Sequence, residues 1–413
     1  MPKLFQIAIE ANINSVGRIA EQIGLAAMER GWESYLTYSR SCLESQSNLI
    51  KIGSRLDIYR HVVMTRLFDR HCLHSTASTK ELIQKIEEVD PDVIQLHHIH
   101  GYFIDMEVLF DYLSRAGKPV VWVFHDCWAF TGHCAHFDCG THECNRWQSE
   151  CHDCPLKREY PASFFADRSR ENFKLKKQLF NSVPNMTIVS VSEWMNSLVE
   201  KSFLNGNRLM CIPNGIDTQL FCPRDNRSDT CRKYGIDPDN RYVIGVASTW
   251  TLSKGFKDFI KLRTILPTGI QIVMVGLAPT QLKELPDGII GLRKTDNVDD
   301  LASLYSGADV FVNPTHHDTF PTVNIEAQSC GTPVVTYNSG GAPEIVDHGK
   351  TGLVVECGNI KALADAIQHI IDMWKSDITA QSCRQRVETL YDRKKNFNQY
   401  IDLYDRLLNN SYK

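Results

Sequence analysis

At 413 residues the chain is too long for one ordinary domain and fits two of comparable size. A hydrophobic fraction of 43% with 23% charged residues excludes a disordered or fibrous chain. The formal net charge of −4 lacks the basic excess of a dedicated nucleic-acid binder, though it leaves room for local basic patches.

The N-terminus reads Met1-Pro2-Lys3-Leu4-Phe5-Gln6-Ile7-Ala8-Ile9-Glu10. Gln6 breaks its apolar run and Glu10 ends it, so Phe5 to Ile9 reads as a first strand rather than a signal peptide. No stretch approaches the ~20 apolar residues of a membrane-spanning helix. A cytoplasmic protein is expected, with its 14 cysteines reduced or metal-bound rather than disulfide-paired.

Short apolar runs then alternate with amphipathic stretches, the pattern of βαβ units on a parallel sheet. Val16-Gly17-Arg18 is expected to join the first strand to a helix over 18–30, with Ile19, Ile23, Ala26 and Ala27 on one face and Gly31 as its stop. Val93 to Leu96, Val120 to Phe124 and Thr187 to Ser190 read as further buried strands. The turn-rich Ile212-Pro213-Asn214-Gly215-Ile216-Asp217 leads into a charged segment, Arg224 to Lys233, that reads as an inter-domain linker. The alternation restarts with strands at Val243 to Ala247, Ile270 to Val275, Val310 to Val312 and Pro333 to Thr336. From Lys361 to Trp374, Leu363, Ala366, Ile367, Ile370, Ile371 and Trp374 form one helical stripe. Phe397, Tyr400, Leu403, Tyr404, Leu407 and Leu408 also fall at helical spacing.

The most informative stretch runs from Asn313 to Val335. An apolar strand enters a Pro-containing turn, Asp318 follows, and seven residues later Glu326 lies in a short helix before another buried strand. Two carboxylates placed this way bracket a helix N-terminus, whose N–H groups attract phosphate while the carboxylates accept sugar hydroxyls. A lone Glu326 would read as an ordinary helix-surface carboxylate; its surroundings argue otherwise. The stretch resembles the Glu-x7-Glu phrase of glycosyltransferase family 4, matched here as Asp318-x7-Glu326 with Phe320, Pro321, Ala327, Gly331 and Pro333 in register. Leu304 to Pro314, Gly340-Gly341-Ala342-Pro343-Glu344, Thr351 to Val355 and Ile212 to Asp217 follow the family's order, so the resemblance covers essentially the whole chain.

The resemblance implies an α/β, GT-B architecture, two Rossmann-like doubly wound domains facing across a cleft. Its boundaries would be an acceptor-side domain at 1–212, a nucleotide-sugar domain at 213–385 and a C-terminal helix at 386–413 packing back on the first domain. It further implies that Glu326 binds the donor ribose, that Asp318, in place of a Glu, faces the donor sugar, and that Phe320, Pro321 and Thr322 lie against the donor. Within Gly245 to Gly255, Lys254 matches the lysine that clamps the donor diphosphate. Thr249 stands where the family has an arginine, so half the clamp is missing. Gly17 matches a glycine loop under the donor phosphates. His125, at a strand end before Asp126, resembles the histidine that contacts the donor sugar. The cluster His97-His98-Ile99-His100 also ends a strand; read as alternating across it, these are acceptor-cleft or structural residues, with a metal as the minority option.

Six cysteines crowd an insert at 127–154: Cys127, Cys134, Cys139, Cys144, Cys151 and Cys154. Cys151-x2-Cys154 has the spacing of a zinc knuckle, and Cys134 with Cys144 would complete four thiolates around a structural zinc; free buried thiols are the even alternative. His133, His136, His142 and His152 are spare ligands. Beside the insert, Arg168 to Lys177 is basic with interleaved Phe and Leu, either a solvated helix face or a contact for anionic lipid at the inner membrane.

The phrase His125-Asp126-Cys127-Trp128-Ala129-Phe130-Thr131-Gly132-His133-Cys134 resembles a bacterial subgroup of the family that makes exopolysaccharides and O-antigens. The resemblance implies a retaining, hexosyl-type transferase that uses a UDP- or GDP-sugar and a glycan or lipid-linked oligosaccharide acceptor in bacterial surface polysaccharide synthesis. No catalytic metal and no nucleic-acid partner are expected. A catalytically weak nucleotide-sugar-binding scaffold and a nucleotide-sugar epimerase are the rivals.

Overall fold

The computed structural model describes residues 1–137, 144–373 and 377–410; Trp374 of the helical stripe, Cys139 and His142 lie outside the described residues. The chain divides into two compact units, one holding residues 1–137, 144–213 and 396–410, the other residues 214–395. Among the described residues no helix is long and apolar enough to cross a membrane.

In the first unit, β1 (Lys3–Ile7), β2 (Glu33–Tyr38), β3 (Asn48–Lys51), β4 (Val93–Leu96), β5 (Val120–Phe124), β6 (Met186–Ser190) and β7 (Arg208–Cys211) form one sheet, ordered β3-β2-β1-β4-β5-β6-β7. Every pairing is parallel. β4, β5 and β6 are buried along their whole length, as continuous apolar runs must be when helices cover both faces. The connections are α1 (Asn14–Glu29), α2 (Arg55–Phe68), α3 (Thr76–Val89), α4 (Met106–Arg115), α5 (Ser169–Phe180) and α6 (Glu193–Glu200). Beneath the point where β1 and β4 part their connections lies a buried polar chain. Gln95 Nε2 donates to Gln6 Oε1 at 3.1 Å, and Gln6 Nε2 donates to Ala20 O at 2.9 Å. Buried amides of this kind fix register because any slip leaves them unpaired.

α1 begins earlier than the periodicity predicts, so Gly17 lies in its first turn rather than in the preceding loop. Asn12 and Asn14 turn the chain with φ of 52° and 55°, and Asn12 N–H donates to Gly17 O at 3.1 Å. A Cβ on Gly17 would stand 3.0 Å from Glu10 O, so glycine permits the helix to start against the end of β1.

In the second unit, the predicted linker is instead largely helical: α7 (Arg227–Tyr234) lies within it. Its charges are spent on neighbours, Arg227 donating to Asn240 O at 2.8 Å and Lys233 pairing with Asp300 at 2.7 Å. Six parallel strands follow: β8 (Arg241–Val246), β9 (Ile270–Val275), β10 (Ile289–Leu292), β11 (Val310–Asn313), β12 (Val334–Tyr337) and β13 (Gly352–Val355), ordered β10-β9-β8-β11-β12-β13. Between and after them come α8 (Phe256–Ile265), α9 (Pro279–Leu282), α10 (Val298–Gly307), α11 (Thr322–Ser329), α12 (Ala342–Ile345), α13 (Ile360–Met373), α14 (Asp377–Leu390) and α15 (Arg393–Asn410). Leu363, Ile367 and Ile370 of α13 enter the same core as Phe259 and Leu262 of α8. Each such side chain contributes roughly 1.5–3 kcal/mol by leaving water. From Asn396 onward α15 belongs to the first unit, where the Tyr404 hydroxyl donates to Gln95 Oε1 and closes the polar chain.

Candidate active site

Both sheets reverse their winding at one point, between β1 and β4 in the first unit and between β8 and β11 in the second. The crevice outside the carboxyl ends of the strands at such a reversal is where doubly wound sheets bind ligands. Gly17 follows β1 in the first unit, and Lys254 and Asp318 lie in the connections after β8 and β11 in the second.

In the second unit, β8 runs into the turn that carries Ser248, Thr249 and Lys254, and β11 runs into the loop that carries Asp318. The two loops are stitched together. His316 N–H donates to Ser253 O at 2.7 Å, and the Lys254 ammonium pairs with the Asp318 carboxylate. Gly255 takes φ of 80°, and a Cβ there would stand 2.3 Å from Pro314 O, so the Lys254 turn closes on the Pro314 loop only with glycine. Asp318 is gripped from the other side by the phrase after β12: Gly341 N–H donates to Asp318 O at 3.0 Å, and Gly340 at φ of 55° leaves no room for a Cβ, which would be 2.0 Å from that oxygen.

α11 starts at Thr322 behind Pro321, which offers no side-chain cap, so its first N–H groups point where they can donate to anionic oxygens. Phe320 is buried against Tyr391, with ring centroids 5.7 Å apart, and serves as packing beneath the loop. Glu326 lies one turn further on, where the Tyr305 hydroxyl donates to its Oε2 at 3.0 Å. Burial, and then the Glu326 charge, push the Tyr305 hydroxyl well above its ordinary range, so it remains a donor to the carboxylate. Thr249 is exposed on its turn.

Sequence reasoning passed over His316. Its Nε2 lies 2.7 Å from Asp258 of α8, and its Nδ1 lies 3.5 Å from Cys357 Sγ. The hydrogen bond to Asp258, followed by that to Cys357, raises His316 to about 10, so it is a cation at neutral pH. It thereby ties the loop before Asp318 to the helix that follows Lys254. The only hint in the sequence was its place inside the Asn313-to-Val335 phrase.

In the first unit, β4 ends at Leu96, so His97 to His100 leave the sheet and cease to alternate across it. His98 and His100, two residues apart, nevertheless converge, as they would on one face of a strand. Their Nε2 atoms lie 3.3 Å and 2.9 Å from Asp126 Oδ2, at the end of β5. The three ligand atoms are close enough together to hold a metal ion. Burial pushes Asp126 up, but His100 and His98 outweigh it and hold the carboxyl well below its usual range. His125 stacks on His97 with Nε2 3.2 Å from His97 Nδ1. Burial, reinforced by His98 and His97, pushes His125 well down, so it is neutral and serves as a hydrogen-bonding group rather than a cation. Gly17 stands after β1, on the other side of the same reversal.

The basic segment beside the insert forms most of α5. Lys176 is buried, donates to Trp128 O at 2.7 Å and Thr131 O at 3.0 Å, and lies 3.5 Å above the Trp128 ring. Arg170 and Lys174 pair with Glu150 at 3.4 Å and 3.0 Å. Part of the basic character is thus spent holding the insert.

Two doubly wound parallel units with charged side chains gathered near their winding reversals have the architecture in which α/β proteins hold ligands outside the carboxyl ends of the strands. The comparisons narrow this. The family model described as Glycosyltransferase Family 4 matches residues 16–220, and that described as Glycosyl transferases group 1 matches residues 228–388. Among curated proteins, the capsular polysaccharide biosynthesis glycosyltransferase CapM of Staphylococcus aureus is 27% identical over 239 residues, 54% of this chain and 62% of that protein. Alpha-maltose-1-phosphate synthase of Mycolicibacterium smegmatis is 28% identical over 185 residues, 41% of this chain and 48% of that protein. The chain thus spans between 48% and 62% of the length of these two relatives. Among solved structures, sucrose-phosphate synthase from Thermosynechococcus elongatus superposes with a TM-score of 0.75 at 17% identity, over 98% of this chain and 99% of that one. HepE of Anabaena, solved with UDP and glucose, gives 0.69 at 16% identity over 98% and 100%. The chain belongs to glycosyltransferase family 4, and its two units are the Rossmann-like halves of the GT-B fold.

Proposed function

We propose that this protein is a retaining glycosyltransferase that moves a hexosyl group from a UDP- or GDP-sugar to a glycan or lipid-linked oligosaccharide during bacterial surface polysaccharide synthesis. The observation that carries the reading is the meeting of Lys254 with Asp318 at the β8/β11 reversal, in the loop that leads into the helix of Glu326. Glu326, steadied by Tyr305, would accept the ribose hydroxyls. The donor diphosphate would take Lys254 from Asp318, with the N-terminus of α11 supplying further N–H groups. Asp318, released from its ion pair, would then turn to the donor sugar. The leaving diphosphate would accept the proton of the attacking hydroxyl on the face it departs, which gives retention without a protein nucleophile. The role of CapM in capsular polysaccharide biosynthesis and the UDP and glucose bound to HepE support the substrate class.

One observation favours a second reading. Thr249 replaces a cation on an exposed turn, so a donor-binding scaffold with little turnover would carry the same residues. Release of free nucleotide from UDP-, GDP- and ADP-sugars, with a lipid-linked acceptor fraction added, separates the two. Turnover of one donor, lost in Glu326→Ala and Lys254→Ala, supports transfer. Donor binding without turnover of any sugar supports the scaffold.

A further inference from the structure

The transferase reading makes no use of the cysteine-rich insert. Between the 3-10 turn at Trp128–Phe130 and α5, the described chain has no strand or α-helix, only a second 3-10 turn at Arg146–Gln148. Nevertheless Cys134, Ala135, Phe137, Trp147, Cys151 and Leu156 are buried. Irregular chain of this length is uncommon inside a compact domain, and when it is well packed something other than backbone ladders has to hold it.

Four thiols converge where such a fastening would sit. Cys134, Cys144, Cys151 and Cys154 line one cavity of about 10 Å³, walled by Phe137 and Trp147. That volume is about one water molecule, the scale of an ion and far below that of any sugar or nucleotide. Cys134 and Cys154 share a thiol hydrogen bond, and all four cysteines are free rather than disulfide-bonded. The chain around them is tightly turned and tied by hydrogen bonds. Asp153 takes φ of 44° within Cys151-His152-Asp153-Cys154, Gly132 N–H donates to Cys151 Sγ at 3.2 Å, and Arg146 Nη1 donates to His152 O at 2.7 Å. The last bond ties the arm that carries Cys144 to the arm that carries Cys151 and Cys154. N–H groups aimed at sulfur are the outer support that thiolate ligands use. Among the described residues only His98, His100 and Asp126 bring three ligand atoms within 4.8 Å of one another. The four sulfurs have therefore to be drawn in to reach the ~2.3 Å bonds of tetrahedral zinc.

We propose that Cys134, Cys144, Cys151 and Cys154 bind a structural zinc ion. The ion fastens the insert onto the segment after β5, where Cys127 N–H donates to Ala135 O at 2.8 Å, and so steadies the loop that bears His125 and Asp126. Four thiolates close the coordination sphere and leave no position for water, so the metal holds the fold and does no chemistry.

The test is metal analysis of full-length protein purified without chelator from zinc-supplemented cells. About one zinc per chain is expected, absent from Cys151→Ser and Cys154→Ser and retained in Cys42→Ser, whose cysteine is exposed and distant in the chain. Cobalt exchanged into the wild-type protein should give the intense visible and sulfur-to-metal bands of a four-thiolate tetrahedral site, a readout that survives if the serine variants fail to fold. His133 also lines the cavity, its Nδ1 held 2.6 Å from Asp69. Zinc lost from His133→Ala but kept in Cys144→Ser would overturn the ligand set. Zinc-free wild-type protein with four alkylatable thiols, a Cys151–Cys154 disulfide, or zinc lost only on replacing His98 and His100 would each overturn the proposal.

Discussion

Replacing Glu326 by alanine should weaken the nucleotide rather than the fold. Glu326 lies in the first turns of an eight-residue helix and is held by the Tyr305 hydroxyl at 3.0 Å, so it is aimed before any ligand arrives. A hydrogen bond to a charged group is worth about 1.5–3 kcal/mol, and the two hydroxyls of a ribose would share one carboxylate. Allowing for water that replaces the lost contact, we expect a loss of about 2–3 kcal/mol, roughly 30- to 150-fold in Kd. Tyr305→Phe keeps the charge and loses only its orientation, so about 1 kcal/mol is expected there. Calorimetric titration of the nucleoside diphosphate, and of its 2′,3′-dideoxy analogue, gives a double-mutant cycle. Wild type should lose most of its affinity for the dideoxy compound, whereas Glu326→Ala should bind both alike. If the variant discriminates between the two nucleotides as strongly as wild type, Glu326 does not hold the ribose and the reasoning fails.

Three further outcomes follow from the same loops. Lys254→Ala removes the ammonium that faces Asp318 and should lower kcat/KM for the donor by about two orders of magnitude, the scale of one preorganised electrostatic contact, with a thermal midpoint near that of wild type; an unchanged kcat/KM refutes the diphosphate role. His316→Gln should cost about 2 kcal/mol of stability near pH 6, as expected for a hydrogen bond to a charged partner. Because the folded His316 is raised to about 10, its contribution is complete below the ordinary histidine value near 6.5 and fades as pH climbs through about 10. Denaturant unfolding of both proteins at intervals across that range should show the two curves converge. Gly340→Ala combines a left-handed φ with a 2.0 Å approach to Asp318 O, so it should displace Asp318 and cut donor turnover at least tenfold, while Gly206→Ala, where an added Cβ meets no neighbour, should leave turnover unchanged.

The sequence by itself determined the two parallel sheets and the position of the donor phrase. Apolar runs such as Ile270 to Val275 can be hidden on both faces only in a helix-covered parallel sheet, and hydrophobic period is a property of neighbours along the chain. The family resemblance singled out Lys254, Asp318 and Glu326, and the local signal failed where charge was mistaken for exposure, as in α7, whose basic residues find partners on the unit they fold into. Only the tertiary structure decided which groups meet. Lys254 and Asp318 stand 64 residues apart and Asp258 and His316 stand 58 apart, and each pair forms because β8 and β11 are neighbours in the sheet order. His98 and His100, two residues apart, meet Asp126 because β4 and β5 are neighbours in the sheet order and both chains leave the sheet at the same edge. Side-chain partnerships across such separations depend on strand order and on where each strand stops, and neither is written in the spacing of residues along the chain.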